Sequence, residues 1–176
     1  MTDQTKNLYY LEELSDYEVA DDYSDVRGWD VIDADNRNIG KVDHLLVSKK
    51  AERVVYLDVE VEQTLIEDSY NTYQVPASEG VHGFLNKEGE NHLIVPIGMV
   101  SLDEEVKKVH TNQINHATFA KAKRHNKYAT IDPDHEIIIF RHYIGGNVID
   151  SIKYDEGFYN RKEFENLHER KKTNKL

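Results

Sequence analysis

The stretch that most constrains the fold is Arg53–Val61, RVVYLDVEV, in which Val55, Leu57, Val59 and Val61 alternate with Tyr56, Asp58 and Glu60. Successive side chains of a strand point to opposite faces, so this alternation predicts a strand with one apolar face buried and one polar face in water. The residues before it supply its partners. Arg27, Gly28, Trp29 and Asp30 lead into Val31 and Ile32, and residues 33–38 are dense in Asp and Asn. Such side chains bond to the nearby backbone and tolerate left-handed conformations, so the chain is expected to reverse there. Gly40 opens the return strand over 42–47. Residues 25–61 therefore read as a hairpin followed by a third strand.

Around this centre the chain divides into three parts. Residues 1–24 form an acidic N-terminal arm: up to Asp25 there are eight carboxylates against Lys6 as the one cation. Leu8, Tyr9, Leu11, Leu14, Tyr17 and Val19 interleave with these acids, which fits an arm laying a few apolar side chains on the domain while its charges face water. After Val61 the pattern lapses into a polar insert over 62–91, with Pro76, Gly80, Gly83 and Gly89 as punctuation. A hairpin turning at Lys87, Glu88 and Gly89 is expected within it. The run 92–100, HLIVPIGMV, reads as a strand whose Pro96 marks an edge or a bulge. An acidic turn over 101–105 and a last strand over 106–114, with Val106, Val109 and Ile114 apolar, close the central part at residue 114.

Residues 115–176 change to helical signals. Asn115 suits the cap of a helix running to about Lys123, with Phe119 and Ala122 inward and Lys121, Lys123 and Arg124 outward. The next segment, TIDPDHEIIIFRHYIGG, carries two readings. Asp132, Pro133, Asp134, Glu136, Arg141, His142 and Gly145 stand where helix boundaries want them, while the run Ile137 to Phe140 favours a strand. The boundary signals agree with one another, so helix is preferred over 132–144. A final helix is expected from the capping-box spacing of Asn160 and Glu163, with Phe164 and Leu167 on one face.

Composition narrows the functional classes. The 176 residues suffice for about one domain with extensions. A net charge of -11 argues against nucleic acid as a partner, and the lack of cysteine excludes disulfides and thiolate metal sites. No run approaches the roughly 20 apolar residues of a spanning helix, and the N-terminus lacks a leader pattern, which suggests a cytoplasmic protein.

The search for chemistry is mostly negative. Asp33 and Asp35 begin like a calcium loop, but Arg37 takes a ligand position, Asn38 replaces the glycine and His44 stands where the bidentate glutamate belongs. Nine histidines invite a metal, yet no HExxH-type pair occurs; His135 and His142, seven apart, fit a core-edge pair better than a ligand pair, and His110 has no adjacent carboxylate. Gly145 and Gly146 lack a phosphate-loop context, and no serine has a nucleophile-elbow setting. No catalytic residue, cofactor or metal ligand is assigned. Arg27, Trp29 and Tyr56 are the candidates for an interaction surface, since Trp, Tyr and Arg dominate interface hot spots. The basic group Lys121, Lys123, Arg124, His125 and Lys127 is read as a solvated helix face.

These residues carry a resemblance. GWDVIDADNRNIGKV and LIVPIGMV, with the strands around them, resemble the PRC-barrel domain, a small β-barrel found in the cytoplasmic part of the photosynthetic reaction-centre H subunit and at the C-terminus of a ribosome maturation factor. The likeness covers about 25–114, and 115–170 is similar to the helical tail of stand-alone bacterial members. Two departures stand out: the H subunit has a membrane-spanning helix before its barrel where this chain has none, and the insert between Val61 and His92 is long. The resemblance implies a mainly β (α+β) fold, a small PRC-type β-barrel with an acidic arm and a helical extension. It implies a non-enzymatic module for protein-protein interaction or assembly, with an unidentified protein partner or a homo-oligomer. The alternative is an accessory subunit supporting electron or proton transfer at a membrane complex, with Asp43, His44, Asp58 and Glu60 relaying protons and peripheral membrane association left open. An enzyme with a histidine-based metal site is a distant third.

Overall fold

A computed structural model describes residues 6–14, 25–66, 90–144, 154 and 157–164. It is a sheet-rich α+β fold with seven strands: β1 (Leu8–Tyr10), β2 (Asp30–Ile32), β3 (Asn38–Ser48), β4 (Arg53–Val61), β5 (His92–Pro96), β6 (Ser101–Asp103) and β7 (Lys108–His110). Two helices follow, α1 (His116–Ala120) and α2 (Pro133–Ile144). The strand order is β5-β4-β3-β2-β7-β6, with β1 also on β3.

The expected hairpin is present, and its acidic turn has a definite task. Asp33 is buried, and its Oδ1 accepts from the backbone N–H groups of Asp35 (2.8 Å) and Arg37 (2.9 Å), while Asn36 takes the left-handed conformation at φ 64°. The return strand β3 is long enough to serve several neighbours. Along one edge it pairs β2 near Gly40 and β1 near Leu46; along the other it pairs β4 throughout. Leu8, Tyr10 and Leu11 of the arm are buried by this docking. Residues 15–24 lie outside the described residues.

Strand β4 departs from its expected half-exposed state. Val55, Leu57 and Val59 are fully buried as the alternation requires, but Tyr56 and Asp58 on the opposite face are also at 0 % exposure. The segment after residue 115 covers that second face. Phe140, Phe158 and Phe164 pack with one another at ring separations of 5.2–5.4 Å, and Tyr56 meets Phe164 edge-on at 5.3 Å. These rings belong to the same hydrophobic cluster as the sheet residues Val31, Ile39, Leu57 and Val109.

Several local expectations are corrected. β5 ends at Pro96, at one end of the strand order, and Ile97–Met99 is a 3-10 turn. The residues read as an acidic turn, Ser101–Asp103, form β6, because Leu102 pairs with Val109 of β7 and packs against the core. The turn is displaced to 104–107, with Lys107 at φ 56° and Val106 56 % exposed, so the last strand begins only at Lys108. Asn115 caps α1 by accepting from Thr118 N–H at 2.8 Å, but α1 stops at Ala120. Arg124 turns inward to 1 % exposure, donating from Nε to the Glu90 carbonyl at 2.5 Å. The reading of 132–144 as helix holds: Asp132 Oδ1 accepts from His135 N–H at 2.8 Å. In place of a final helix from Asn160, Phe158–Asn160 and Lys162–Phe164 are two 3-10 turns separated by extended Arg161. The expected hairpin in the insert, Gly145 and Leu167 lie outside the described residues.

Two glycines fix the closest backbone approaches. A Cβ on Gly98 would lie 2.4 Å from the Lys162 carbonyl oxygen, and one on Gly40 would lie 2.1 Å from that of Glu60. Neither obstacle is a side chain that can rotate away. Gly98→Ala is therefore expected to lower the unfolding free energy by about 3 kcal/mol, the upper end of ordinary overpacking costs, as read from urea denaturation. A loss under about 0.5 kcal/mol would mean that the C-terminal turn does not press on this site.

Candidate functional site

The second face of β4 carries the densest chemistry of the described residues. Strand register explains how it forms. Val42 pairs with Val59 and His44 with Asp58, leaving Asp43 as the extra residue of a β-bulge. A bulge re-aims side chains that a regular strand would send to opposite faces. Here it lets Asp43 and His44 meet Asp58: one ligand-type atom from each lies within 4.8 Å of the others. His92 joins from β5, two positions from Ile94, the cross-strand partner of Asp58.

The contacts are close and unusually paired. His92 Nε2 lies 2.9 Å from Asp43 Oδ2, and its Nδ1 lies 2.9 Å from Asn91 Oδ1. His44 Nε2 lies 3.2 Å from the same Asp43 oxygen and its Nδ1 2.7 Å from Glu12 Oε2, yet neither approach has hydrogen-bond geometry. His125, held beside β5 by reciprocal backbone bonds to His92, places Nε2 2.8 Å from Asp58 Oδ1. Asp58 Oδ2 has no hydrogen-bond partner. Tyr10 and Tyr128 cover the His44 ring at centroid distances of 5.3 and 4.6 Å. Lys127 reaches Asp43 Oδ2 at 3.8 Å from a half-exposed position.

Burial dominates the electrostatics. It raises the Asp58 carboxyl to about 7, against the opposing pull of His92 and His44. It lowers His125 to about 3, helped by the charge of His92, and lowers His135 to about 3, helped by His125. Asp43, only partly buried, stays below the ordinary carboxylate range: the burial that would raise it is outweighed by the His92 hydrogen bond and by His44 and Lys127.

A second cluster lies further along the same face. Glu136 of α2 is 1 % exposed, and its Oε1 accepts from Tyr56 Oη at 2.9 Å and also from Tyr159 Oη. Tyr159 in turn accepts from Asn7 Nδ2 at 3.0 Å, and Asn7 bonds Ser48 of β3. Arg53 donates to the carbonyls of Phe164 (2.5 Å) and Tyr159 (2.7 Å). The cluster thus joins the arm, the sheet and the C-terminal segment.

The three candidate surface residues separate in the structure. Tyr56 is fully buried and has no surface to offer a partner, because α2 and Phe164 cover the face assigned to water. Arg27 is exposed and donates to Asp25, which its hydrogen bonds hold below the ordinary carboxylate range. Trp29 is half-buried against the core on a turn pinned to β3 by Gly28 N–H to Val42 O (2.7 Å). Of the four proposed relay residues, Asp43, His44 and Asp58 converge, while Glu60 is exposed. His135 and His142 go to different neighbours, His125 and the Thr118 carbonyl. The basic group loses Arg124 and His125 to the interior. Spacing alone could not reveal the Asp43–His44–Asp58 convergence; the two consecutive residues looked opposed until the bulge turned them together.

Glu136 makes the stability dependent on pH. Burial, opposed by the hydrogen bonds of Tyr159, Tyr56 and Tyr154 and by Lys50, raises its carboxyl from 4.5 to about 7. The folded state therefore holds the proton more tightly, and this contribution is complete below pH 4.5 and lost as pH rises through 7. Its size is about 3 kcal/mol. Urea denaturation of the wild type and Glu136→Gln at pH 5 and pH 8 is expected to show the variant gaining about that much on the wild type at the higher pH. An unchanged difference between the two proteins at the two pH values would refute the assignment.

Among the described residues no helix is long and apolar enough to cross a membrane. A search among curated proteins finds no match for the chain. The family profile of the PRC-barrel domain matches residues 18–115, more than half of the sequence and the whole of the seven-stranded sheet apart from β1. The chain belongs to the PRC-barrel domain family.

Proposed function

We propose that this protein is a non-enzymatic, cytoplasmic module for protein-protein interaction or assembly, with an acidic N-terminal arm and a PRC-type β-barrel resembling the cytoplasmic domain of the reaction-centre H subunit. The observation that carries the reading is the turn before β2. Trp29 is half-buried there beside exposed Arg27, and backbone bonds from Gly28 and Val42 hold the turn to β3. A rigid aromatic with an adjacent guanidinium is the usual centre of a protein interface. The buried histidines and carboxylates lie beneath aromatic rings, which suits a supporting role better than turnover of a substrate. The partner is a protein surface, a second copy of the chain included.

The accessory role at a membrane complex would instead draw on Asp43, His44, Asp58 and Glu60 as a proton relay. Fractionation of native cells separates the two: co-sedimentation with membranes favours the accessory role, and a wholly soluble pool favours the assembly module.

Light scattering and affinity capture from native cells test the proposal. The protein is expected to run above its 20.5 kDa chain mass or to retain a stoichiometric partner. Arg27→Ala, at an exposed side chain, should weaken that association about 10-fold, the effect of losing one hot spot, without lowering the melting temperature of the isolated chain appreciably. A strictly monomeric protein that captures nothing would overturn the reading.

A further inference from the structure

We infer that Asp43, His44, Asp58 and His92 form a binding site for one divalent transition-metal ion of zinc type, a structural staple across β3, β4 and β5. Its first support is convergence. Donor atoms of Asp43, His44 and Asp58 lie within 4.8 Å of one another, and Asp43 Oδ2 stands 3.2 Å from His44 Nε2 and 2.9 Å from His92 Nε2. Ligands of a tetrahedral ion at about 2.0 Å sit about 3.3 Å apart, and the group, whose atoms lie within 4.8 Å of one another, reaches that spacing by adjusting around the ion. Two imidazoles and two carboxylates suit zinc-type ions rather than calcium or magnesium, which favour oxygen alone.

The second support is unmet bonding capacity. His44 is 4 % exposed and Asp58 0 %, yet neither His44 ring nitrogen nor Asp58 Oδ2 makes a hydrogen bond. Buried polar atoms are ordinarily satisfied, because leaving them bare costs about 1–3 kcal/mol each. His92 stands beside this pair already bonded: its Nε2 lies 2.9 Å from Asp43 Oδ2 and its Nδ1 2.9 Å from Asn91 Oδ1, so loss of the Nε2 proton would free a nitrogen ligand next to Asp43. Asn91 Oδ1 beside His92 Nδ1 is the kind of outer partner that orients a ligating imidazole. Asp43, His44 and Asp58 are the converging donors, and His92, against Asp43, would complete a closed four-ligand set of structural type. Asp43, about a quarter exposed, provides the entry from solvent.

The site is independent of the partner surface at Trp29. The test uses the full chain, stripped with a chelator and titrated with Zn2+ by calorimetry. One equivalent per chain is expected with Kd at or below about 1 µM, together with a rise of several degrees in melting temperature. Co2+ should give the visible absorption of a four-coordinate nitrogen-oxygen site. Asp43→Asn and His44→Gln should each weaken binding at least 10-fold, and Glu60→Gln, at an exposed carboxylate two residues after Asp58 on β4, should not. Asp43 is at the surface, so Asp43→Asn decides the matter if His44→Gln fails to fold. No saturable binding up to 1 mM Zn2+, or binding that Asp43→Asn leaves intact, would overturn the inference.

Discussion

The carboxyl of Glu136 is the contact on which the arrangement of this molecule turns. It is buried against β4, where two tyrosine hydroxyls donate to one of its oxygens. A lone carboxylate in such a place would be costly, and the tyrosines make it tolerable only because they arrive from different parts of the chain: Tyr56 from the sheet and Tyr159 from the C-terminal segment. Around them Phe140, Phe158 and Phe164 supply the apolar area that holds the segment down. The polar bonds therefore select one docking of the segment, and the aromatic rings provide most of its adhesion.

Covering the second face of β4 changes the character of everything beneath it. Asp58 and His44 would be ordinary solvated side chains on half-exposed strands; under His125 and the aromatic rings they become a buried pair, and burial raises the Asp58 carboxyl. A bulge at Asp43 and the reciprocal pairing of His92 with His125 complete it. The result ties together β3, β4 and β5, and the Trp29 turn is bonded to Val42, the residue just before the bulge.

Much of the fold was legible because it rests on local rules. The alternation of Val55, Leu57, Val59 and Val61, the Asp33 turn, Pro96 on the edge strand β5 and the Asp132 cap all express preferences of one residue and its near neighbours. Failures occurred where a distant neighbour decided. Ser101–Asp103 became a strand because β7 was beside it, Arg124 turned inward to the Glu90 carbonyl, and the residues after Asn160 form a 3-10 turn whose backbone lies close against Gly98.

By itself, then, the sequence determined the strand-rich class, the first hairpin, the long helix and the family, since periodicity, capping and turn chemistry act over a few residues. Only the tertiary structure decided which polar residues are buried. Tyr56, Asp58 and Glu60 share one face of one strand and look alike as a pattern, yet the first two lie under the C-terminal segment and the third faces water. Burial is a property of what packs on a face, and for β4 that partner lies 80 residues further along the chain, beyond the reach of any local rule.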